Sequence, residues 1–541
     1  MKTTGFGKRL LVGVGCLLAR TQQADAQAVH HKYRVTQQLC AQLATAFGEH
    51  RMPRLTLITN PASQRIAQFV PRPEAELFLD EKLYDICRGF GPDSLAALSI
   101  VLAHELTHYY GKHADWFGFA QLMKHQQPSS AQAEQTEVLE AQADIQGVYR
   151  AFLAGYDSYR LAKPLYTAIY SAYHLPDRMA GYPSRDERIR MMDDQARKAS
   201  TLAMAFETGL FFLLKQEYVV AQRCFEFVSD EIPTKELLNN RGLCQLLRAA
   251  QVMSPRDIPF RYPVDVETSN RLRPSSQRGD EGNQVDLLKQ AIANFQQAID
   301  LDETYTTAYI NQASALSILG RTGTAKETID QLAAVLRQTN VQLPSNARLV
   351  RGIALVESGD SNRGLSELEK CQGAYELAYN LEVARQYTRL TTQSAETAVE
   401  TLAQIASHHT PPTDTRLLSP ETGQGDLRLP FAGTTSFDER LSIPQPDLVR
   451  IQCRRTADGT RYQIGLAAGR YQVICSQPGG AGRSRLGIKS GDTIQQLIQL
   501  YGEPQRRVSA NTLTYYCYDT ANFFVAIQHQ TVKNWFIYTA N

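Results

Sequence analysis

The residues with the clearest capacity for chemistry are His104, Glu105 and His108, set in the order H-E-x-x-H within Ala103-His104-Glu105-Leu106-Thr107-His108. The stretch closes an apolar run from Leu95 to Leu102, where Leu95, Leu98 and Leu102 recur at helical spacing behind a candidate N-cap at Asp93 or Ser94. Positions four apart lie one turn above each other on a helix, so His104 and His108 share a face. Two imidazole nitrogens so placed can hold one Zn²⁺ at about 2.0–2.1 Å. Glu105 is rotated about 100° from His104, near enough to take a proton from a water without being a ligand. Zinc lowers the pKa of its water, so the set suits attack on a peptide carbonyl.

At this length chance produces H-E-x-x-H in roughly one chain in a hundred, so a third ligand has to be found. Glu137 to Asp144 is again helical in pattern and contains E-x-x-A-D, with Glu140 and Asp144 one turn apart. A carboxylate from a second helix completes three protein ligands and leaves a fourth position open, as a catalytic zinc requires. Asp144 is placed to accept the N–H of a zinc-binding histidine and fix its tautomer. Glu134 and Glu137 read as a solvated helix face, and His113 as a loop histidine.

H-E-L-T-H, then E-x-x-A-D, then Ala154-Gly155-Tyr156-Asp157 resembles the gluzincin zinc metallopeptidases of the HtpX and CAAX prenyl endopeptidase family. The resemblance spans roughly residues 35 to 195. It implies His104, His108 and Glu140 as zinc ligands and Glu105 as general base. The family commonly carries H-P followed by R-I, where this chain has Tyr182-Pro183 and then Arg188-Ile189. Arg188 matches the pattern and Tyr182 replaces the histidine. A tyrosine hydroxyl can donate to a developing oxyanion; the other reading of Tyr182 is a plain turn residue. The resemblance also implies a small sheet beside the zinc helix, with an edge strand that holds substrate extended.

The elements that must position these residues read as follows. Leu55 to Ile58, Ala67 to Val70 and Ala75 to Leu79 are expected as short strands, and Ala114 to Thr136 as a lid or a plain connection between the two zinc motifs. Residues 29–200 form the expected α+β zinc-peptidase domain. Residues 201–408 turn to paired amphipathic helices: Ala291, Phe295 and Ala298 are echoed 34 residues later by Ala325, Ile329 and Leu332. Gly209, Tyr218, Ala221 and Phe225 form an earlier copy. A 34-residue helix-turn-helix period is the tetratricopeptide signature and predicts an α-helical solenoid of about five pairs that binds peptides or partners. Residues 253–283, with Pro255, Pro259, Pro263 and Pro274, read as an exposed loop inserted between the two helices of a repeat, or as a plug of the groove or of the active site. Residues 409–446 read as a linker. Residues 447–541 form a small C-terminal α+β module with strands at Val449 to Cys453, Tyr471 to Cys475, Tyr515-Tyr516, Phe523 to Ile527 and Trp535 to Tyr538, and a helix from Ile494 to Tyr501. The order G-I-x-x-G-x-T, helix, G-x-P, strands is similar to the SmpA/OmlA-type module of outer-membrane assembly lipoproteins.

The 541 residues allow about three domains, and 43% hydrophobic with 21% charged residues is ordinary for a soluble multidomain chain. A net charge of +2 gives no basic surface for nucleic acid. Lys2, Lys8 and Arg9 precede the apolar run Leu10 to Ala19 and the exit Ala26-Gln27-Ala28, which describes a signal peptide over residues 1–28. Gly13-Val14-Gly15 before Cys16 is a poor lipobox, so a lipid anchor is not expected. No later stretch is long enough to span a membrane. An exported, periplasmic protein is expected, similar to the soluble BepA-like members of the family. The cysteines are scattered without a C-x-x-C pair; Cys40 with Cys87 or Cys453 with Cys475 are open pairings, and most read as buried small hydrophobes. The expected function is a zinc endopeptidase acting on unfolded or misassembled envelope proteins, with outer-membrane assembly proteins as possible partners of the repeats. The alternative is a catalytically latent, chaperone-like scaffold.

Overall fold

A computed structural model describes residues 30–44, 47, 52–58, 66–70, 74–111, 130–154, 156, 158, 161–176, 185–231, 233–264, 266, 284–371, 376–409, 439–443, 449–456, 459–467, 469–476, 482–510 and 513–540. The expected signal peptide, with Cys16, lies outside the described residues, as does the 114–129 part of the expected lid. The chain divides into two compact units, Met1–Ser200 and Thr201–Asn541.

In the first unit a helix over residues 30–44 (α1) precedes a three-stranded sheet of β1 (Arg54–Ile58), β2 (Ala67–Val70) and β3 (Glu76–Asp80). All three strands fall where the alternation of the sequence puts them, within a residue. Their order is β1-β3-β2, with β1 parallel and β2 antiparallel to β3, so β2 is an edge. Asp80 ends β3 and caps α2 (Glu81–Arg88) by accepting the N–H of Lys82. Next comes α3 (Ser94–Tyr110), with Asp93 at the N-cap position but without a side-chain capping bond. Every residue of α3 from Ala96 to His108 is buried, so it is a central helix with no solvent face. Around it lie α2, α4 (Ser130–Leu153) and α5 (Ala162–Ala172). The helix α6 (Arg185–Leu214) carries the boundary between the units.

The second unit holds a row of helices: α7 (Tyr218–Ser229), α8 (Lys235–Gln251), α9 (Gln284–Leu301), α10 (Thr306–Ile318), α11 (Thr322–Gln338), α12 (Ser345–Glu357), α13 (Ser361–Glu369), α14 (Leu377–Thr392) and α15 (Ala395–His408). Each packs on the next, and α8, α10, α12 and α14 also pack in succession on one another. Ala291, Phe295 and Ala298 on α9 and Ala325, Ile329 and Leu332 on α11 are all fully buried, as their periodicity requires. Small residues set the close approaches: a Cβ on Gly242 would fall 2.8 Å from the Phe295 ring. Within the expected loop, residues 254–257 are exposed as read, residues 265 and 267–283 lie outside the described residues, and the stretch between departs from that reading. Phe260 and Val266 are buried, and residues 259–264 run along the helices rather than into solvent.

An eight-stranded antiparallel sheet completes this unit, in the order β4-β5-β6-β7-β11-β10-β9-β8. Its strands are β4 (Glu439–Ile443), β5 (Val449–Thr456), β6 (Gly459–Leu466), β7 (Gly469–Ser476), β8 (Arg506–Ala510), β9 (Leu513–Tyr518), β10 (Phe523–Gln528) and β11 (Thr531–Ala540). Residues 439–443, expected within a linker, form the edge strand β4 because Leu441 and Ile443 pair with Ile451 and Val449 and are buried. Strands β6 and β8 were not expected from the sequence. The helix α16 (Ile494–Tyr501) starts at a Thr493–Gln496 capping box and lays Leu497 and Tyr501 on Phe523, Val525 and Trp535. Phe211 near the end of α6 meets the rings of Tyr471 and Tyr538 at 5.9 and 5.8 Å. Both faces of the central strands are therefore covered, which is why β10 reads Phe-Phe-Val-Ala-Ile without alternation. Among the described residues no disulfide is formed, and the Cys40–Cys87 and Cys453–Cys475 pairings are absent. Among the described residues no helix is long and apolar enough to cross a membrane.

Candidate metal centre

A helix buried on every side has to satisfy each polar group it carries. On α3, Ser99 and Thr107 do so locally, their hydroxyls donating to the carbonyls of Ala96 and Ala103 at 2.7 and 2.8 Å. His104, Glu105 and His108 have side chains too long for that solution, and they are at most 1% exposed. Their partners come from α4 and β2.

Gly147 lets α4 approach closely enough to supply them. A Cβ there would sit 2.8 Å from the backbone N of His104 and 2.9 Å from its Cα. Asp144 and Glu140 stand one and two turns before Gly147 on the same face, so the close crossing aims both carboxylates at the histidines. The Glu140 carboxylate lies 3.3 Å from His104 Nε2 through one oxygen and 3.5 Å from His108 Nε2 through the other. The two Nε2 atoms are 3.2 Å apart. Ligands about 2.05 Å from a tetrahedral zinc are separated by about 3.3 Å, the edge of the tetrahedron. The separation of the two nitrogens and the nearest approach of each to the carboxylate, made to different oxygens, fall near that edge, and two imidazoles with one carboxylate are a donor set that zinc accepts. The residues present therefore fit a zinc ion bound by His104, His108 and Glu140.

Asp144 occupies the supporting position. Its Oδ1 accepts from His104 Nδ1 at 2.7 Å and from the Tyr166 hydroxyl, on α5, at 2.7 Å. A proton is thereby held on Nδ1, and Nε2, which faces the Glu140 carboxylate, is the nitrogen that can ligate a metal once its own proton is displaced. Burial opposes a charge on His104, but the carboxylates of Asp144 and Glu140 outweigh it and raise its pKa to about 10. The cluster's negative potential thus attracts positive charge to this point, which a divalent cation can supply in place of the proton.

Glu105 reaches the sheet. Its Oε2 accepts the main-chain N–H of Phe69, on β2, at 2.8 Å. Ile66 accepts from Asp80 N on the β3 side, so in this antiparallel ladder Ala67 and Phe69 turn their N–H and C=O groups to the opposite, outer edge. Glu105 and the sheet edge are therefore adjacent.

The structure brings together His104, His108, Glu105, Glu140 and Asp144, five of the residues expected from sequence. Tyr182 lies outside the described residues. Arg188 falls in the first turn of α6, and its side chain lies outside the described set. Three contributors went unread in the sequence: Gly147, Tyr166 and the main chain of Phe69. Gly147 left a signal, since a glycine within a good helix costs about 1 kcal/mol and marks a close approach. Tyr166 and Phe69 left none, being brought in by tertiary packing alone. No known protein family matches this chain, and no curated protein matches it either.

Proposed function

We infer that this chain is a zinc-dependent endopeptidase that cleaves unfolded or misassembled proteins of the cell envelope. The observation that carries the reading is the convergence of His104 Nε2 and His108 Nε2, 3.2 Å apart, on the Glu140 carboxylate, whose two oxygens lie 3.3 and 3.5 Å from them in turn, at the crossing of two buried helices. Zinc at this point would supply Lewis acidity and lower the pKa of water. Glu105 then takes a proton from the attacking water and returns it to the leaving amide nitrogen. Asp144 holds the His104 ring in register and stabilises its orientation throughout. The outer edge of β2 pairs with an extended substrate through main-chain hydrogen bonds, which reads an unfolded backbone rather than one side-chain sequence. Arg188, which matches the family pattern, or Tyr182, which stands where the family has histidine, steadies the oxyanion.

The row of helices in the second unit is read as a tetratricopeptide-like solenoid that presents protein substrates or docks outer-membrane assembly proteins. The residues supporting this are those of the 34-residue echo, Ala291, Phe295 and Ala298 against Ala325, Ile329 and Leu332, all buried. The leader over residues 1–28 directs the chain out of the cytoplasm, to the periplasm.

A second reading, a catalytically latent chaperone-like scaffold, is favoured by one observation. Glu105 is fully buried and its carboxylate is already engaged by Phe69 N–H, so substrate entry requires β2 to shift. Cleavage of casein by the wild type and by Glu105→Gln separates the two. A peptidase loses cleavage in the variant while its zinc content stays at wild-type level; a scaffold shows no cleavage in either protein, and equal cleavage in both removes Glu105 as the base.

A further inference from the structure

We propose that the common side of α10, α12 and α14 is a binding site for an extended polypeptide with two aromatic residues spaced two apart, and that the chain's own Pro259–Val264 occupies it as an internal ligand. This deepens the reading of the helix row as a substrate or partner element and is independent of the metal centre.

The segment Ile258-Pro259-Phe260-Arg261-Tyr262-Pro263-Val264 belongs to neither a helix nor a strand, so its main-chain polar groups need partners from elsewhere. Side chains of the helices supply them. Asn380 on α14 grips one residue from both sides: its Oδ1 accepts Arg261 N–H at 2.9 Å and its Nδ2 donates to Arg261 C=O at 2.8 Å. The Tyr379 hydroxyl donates to the Pro259 carbonyl at 3.0 Å, and Ser314 on α10 reaches the Pro263 carbonyl at 3.5 Å. These bonds recognise an extended backbone whatever its sequence, and Asn380 is fully buried in making them.

The side chains of the segment then find fitted positions. Phe260 is 2% exposed in a cluster with Ile353, Val383 and Leu402, with the Tyr387 ring at 5.4 Å. The Arg261 guanidinium lies 3.9 Å above the Tyr379 ring centroid. The Tyr262 hydroxyl donates to Glu357 on α12 at 2.8 Å. The contacts to α12 and α14 join residues 95 to 120 positions apart in the chain, so the segment meets these helices as a ligand meets a receptor. Helices that grip main chain through an asparagine amide, take an aromatic ring into the core and stack a guanidinium on a tyrosine have the parts of a peptide groove. A tethered occupant acts at an effective concentration on the order of millimolar, so it excludes a weaker free peptide until it is unseated.

The test uses the full-length protein and a fluorescein-labelled peptide of the segment's own sequence, Ile258 to Val264, followed by fluorescence anisotropy. Phe260→Ala/Tyr262→Ala unseats the segment and is expected to bind the peptide at least tenfold more tightly than the wild type. Arg261→Ala/Tyr262→Phe, which leaves Phe260 in the core, is expected to show a smaller gain in the same direction and serves if the first variant does not fold by circular dichroism. Adding Asn380→Ala to the milder variant abolishes the gain, and a peptide with alanine at both aromatic positions fails to bind. Wild type and folded unseated variants that bind the peptide equally, or not at all, overturn the proposal, as does equal binding of the alanine peptide. Zinc content and casein cleavage, read on the same preparations, report separately on the peptidase reading.

Discussion

Replacing Gly147 by alanine tests how the candidate site is built, because two physical effects of the change have opposite signs. Alanine is the better helix former, and on propensity alone Gly147→Ala stabilises α4 by about 0.5–1 kcal/mol. The structure opposes this. The new Cβ meets the His104 N at 2.8 Å, the His104 Cα at 2.9 Å and the Ala103 carbonyl carbon at 3.2 Å, all backbone atoms of a buried helix with nowhere to turn. Carbon atoms rest at about 3.5 Å or more, so the helices have to part by about 0.6 Å locally. Overpacking of this kind costs about 1–3 kcal/mol, which outweighs the propensity gain and leaves a net loss of about 1–2 kcal/mol. The same shift carries Glu140 away from His104 and His108 by roughly three times the ~0.2 Å that a zinc site tolerates. Zinc affinity is expected to fall at least about tenfold, the usual scale for a disturbed support of a metal ligand. Thermal unfolding in the presence of chelator reads the first quantity, and zinc competition against a fluorescent chelator reads the second. A Gly147→Ala protein that melts at or above the wild type and binds zinc equally well refutes the argument that this crossing sets the site.

Three further outcomes follow from particular residues. Asp144→Asn removes the carboxylate that accepts from both His104 Nδ1 and Tyr166, and is expected to weaken zinc binding about 10–100-fold with the fold retained, measured by chelator competition and circular dichroism. Glu105→Gln should leave zinc affinity near the wild-type value while casein cleavage is lost, since Glu105 bonds Phe69 N–H and stands outside the ligand set. Burial raises the carboxyl of Glu357 to about 7 against the partial opposition of hydrogen bonds from Ser317 and Tyr262. The native state therefore holds its proton more tightly than the unfolded chain, and the stability this gives is complete below about pH 4.5 and lost as pH rises through 7. Relative to wild type, Glu357→Gln should gain stability between pH 5 and pH 8.5, by at most about 3 kcal/mol for a half-buried group, in paired denaturant titrations. An unchanged difference between the two proteins across that range contradicts the assignment.

The parts of the molecule legible in the sequence are those fixed by local spacing. His104, Glu105 and His108 follow from one helical turn, and Glu140 with Asp144 from another, because each set lies on a single helix face. The strands of the first unit and the echo of Ala291, Phe295 and Ala298 are likewise periodic. Contacts made at a distance were not legible. Tyr166 reaches Asp144 from α5, and Phe69 reaches Glu105 through its main chain, which has no residue type to betray it. Strand β8 escaped notice because it is short and opens with Arg506-Arg507, the charges by which an edge strand is protected. Strand β4 escaped for the same brevity, five residues at the opposite edge. The 259–264 segment read as exposed because its prolines and charges suggest solvent, whereas its partners Glu357 and Asn380 lie far along the chain.

The most direct test of the central claim is the metal content of the dialysed protein and of His104→Ala, His108→Ala and Glu140→Ala, by inductively coupled plasma mass spectrometry. The account predicts one zinc per wild-type chain and its loss in each variant, all three remaining folded. A wild type without metal, or zinc retained at wild-type stoichiometry in any one of the three variants, contradicts it.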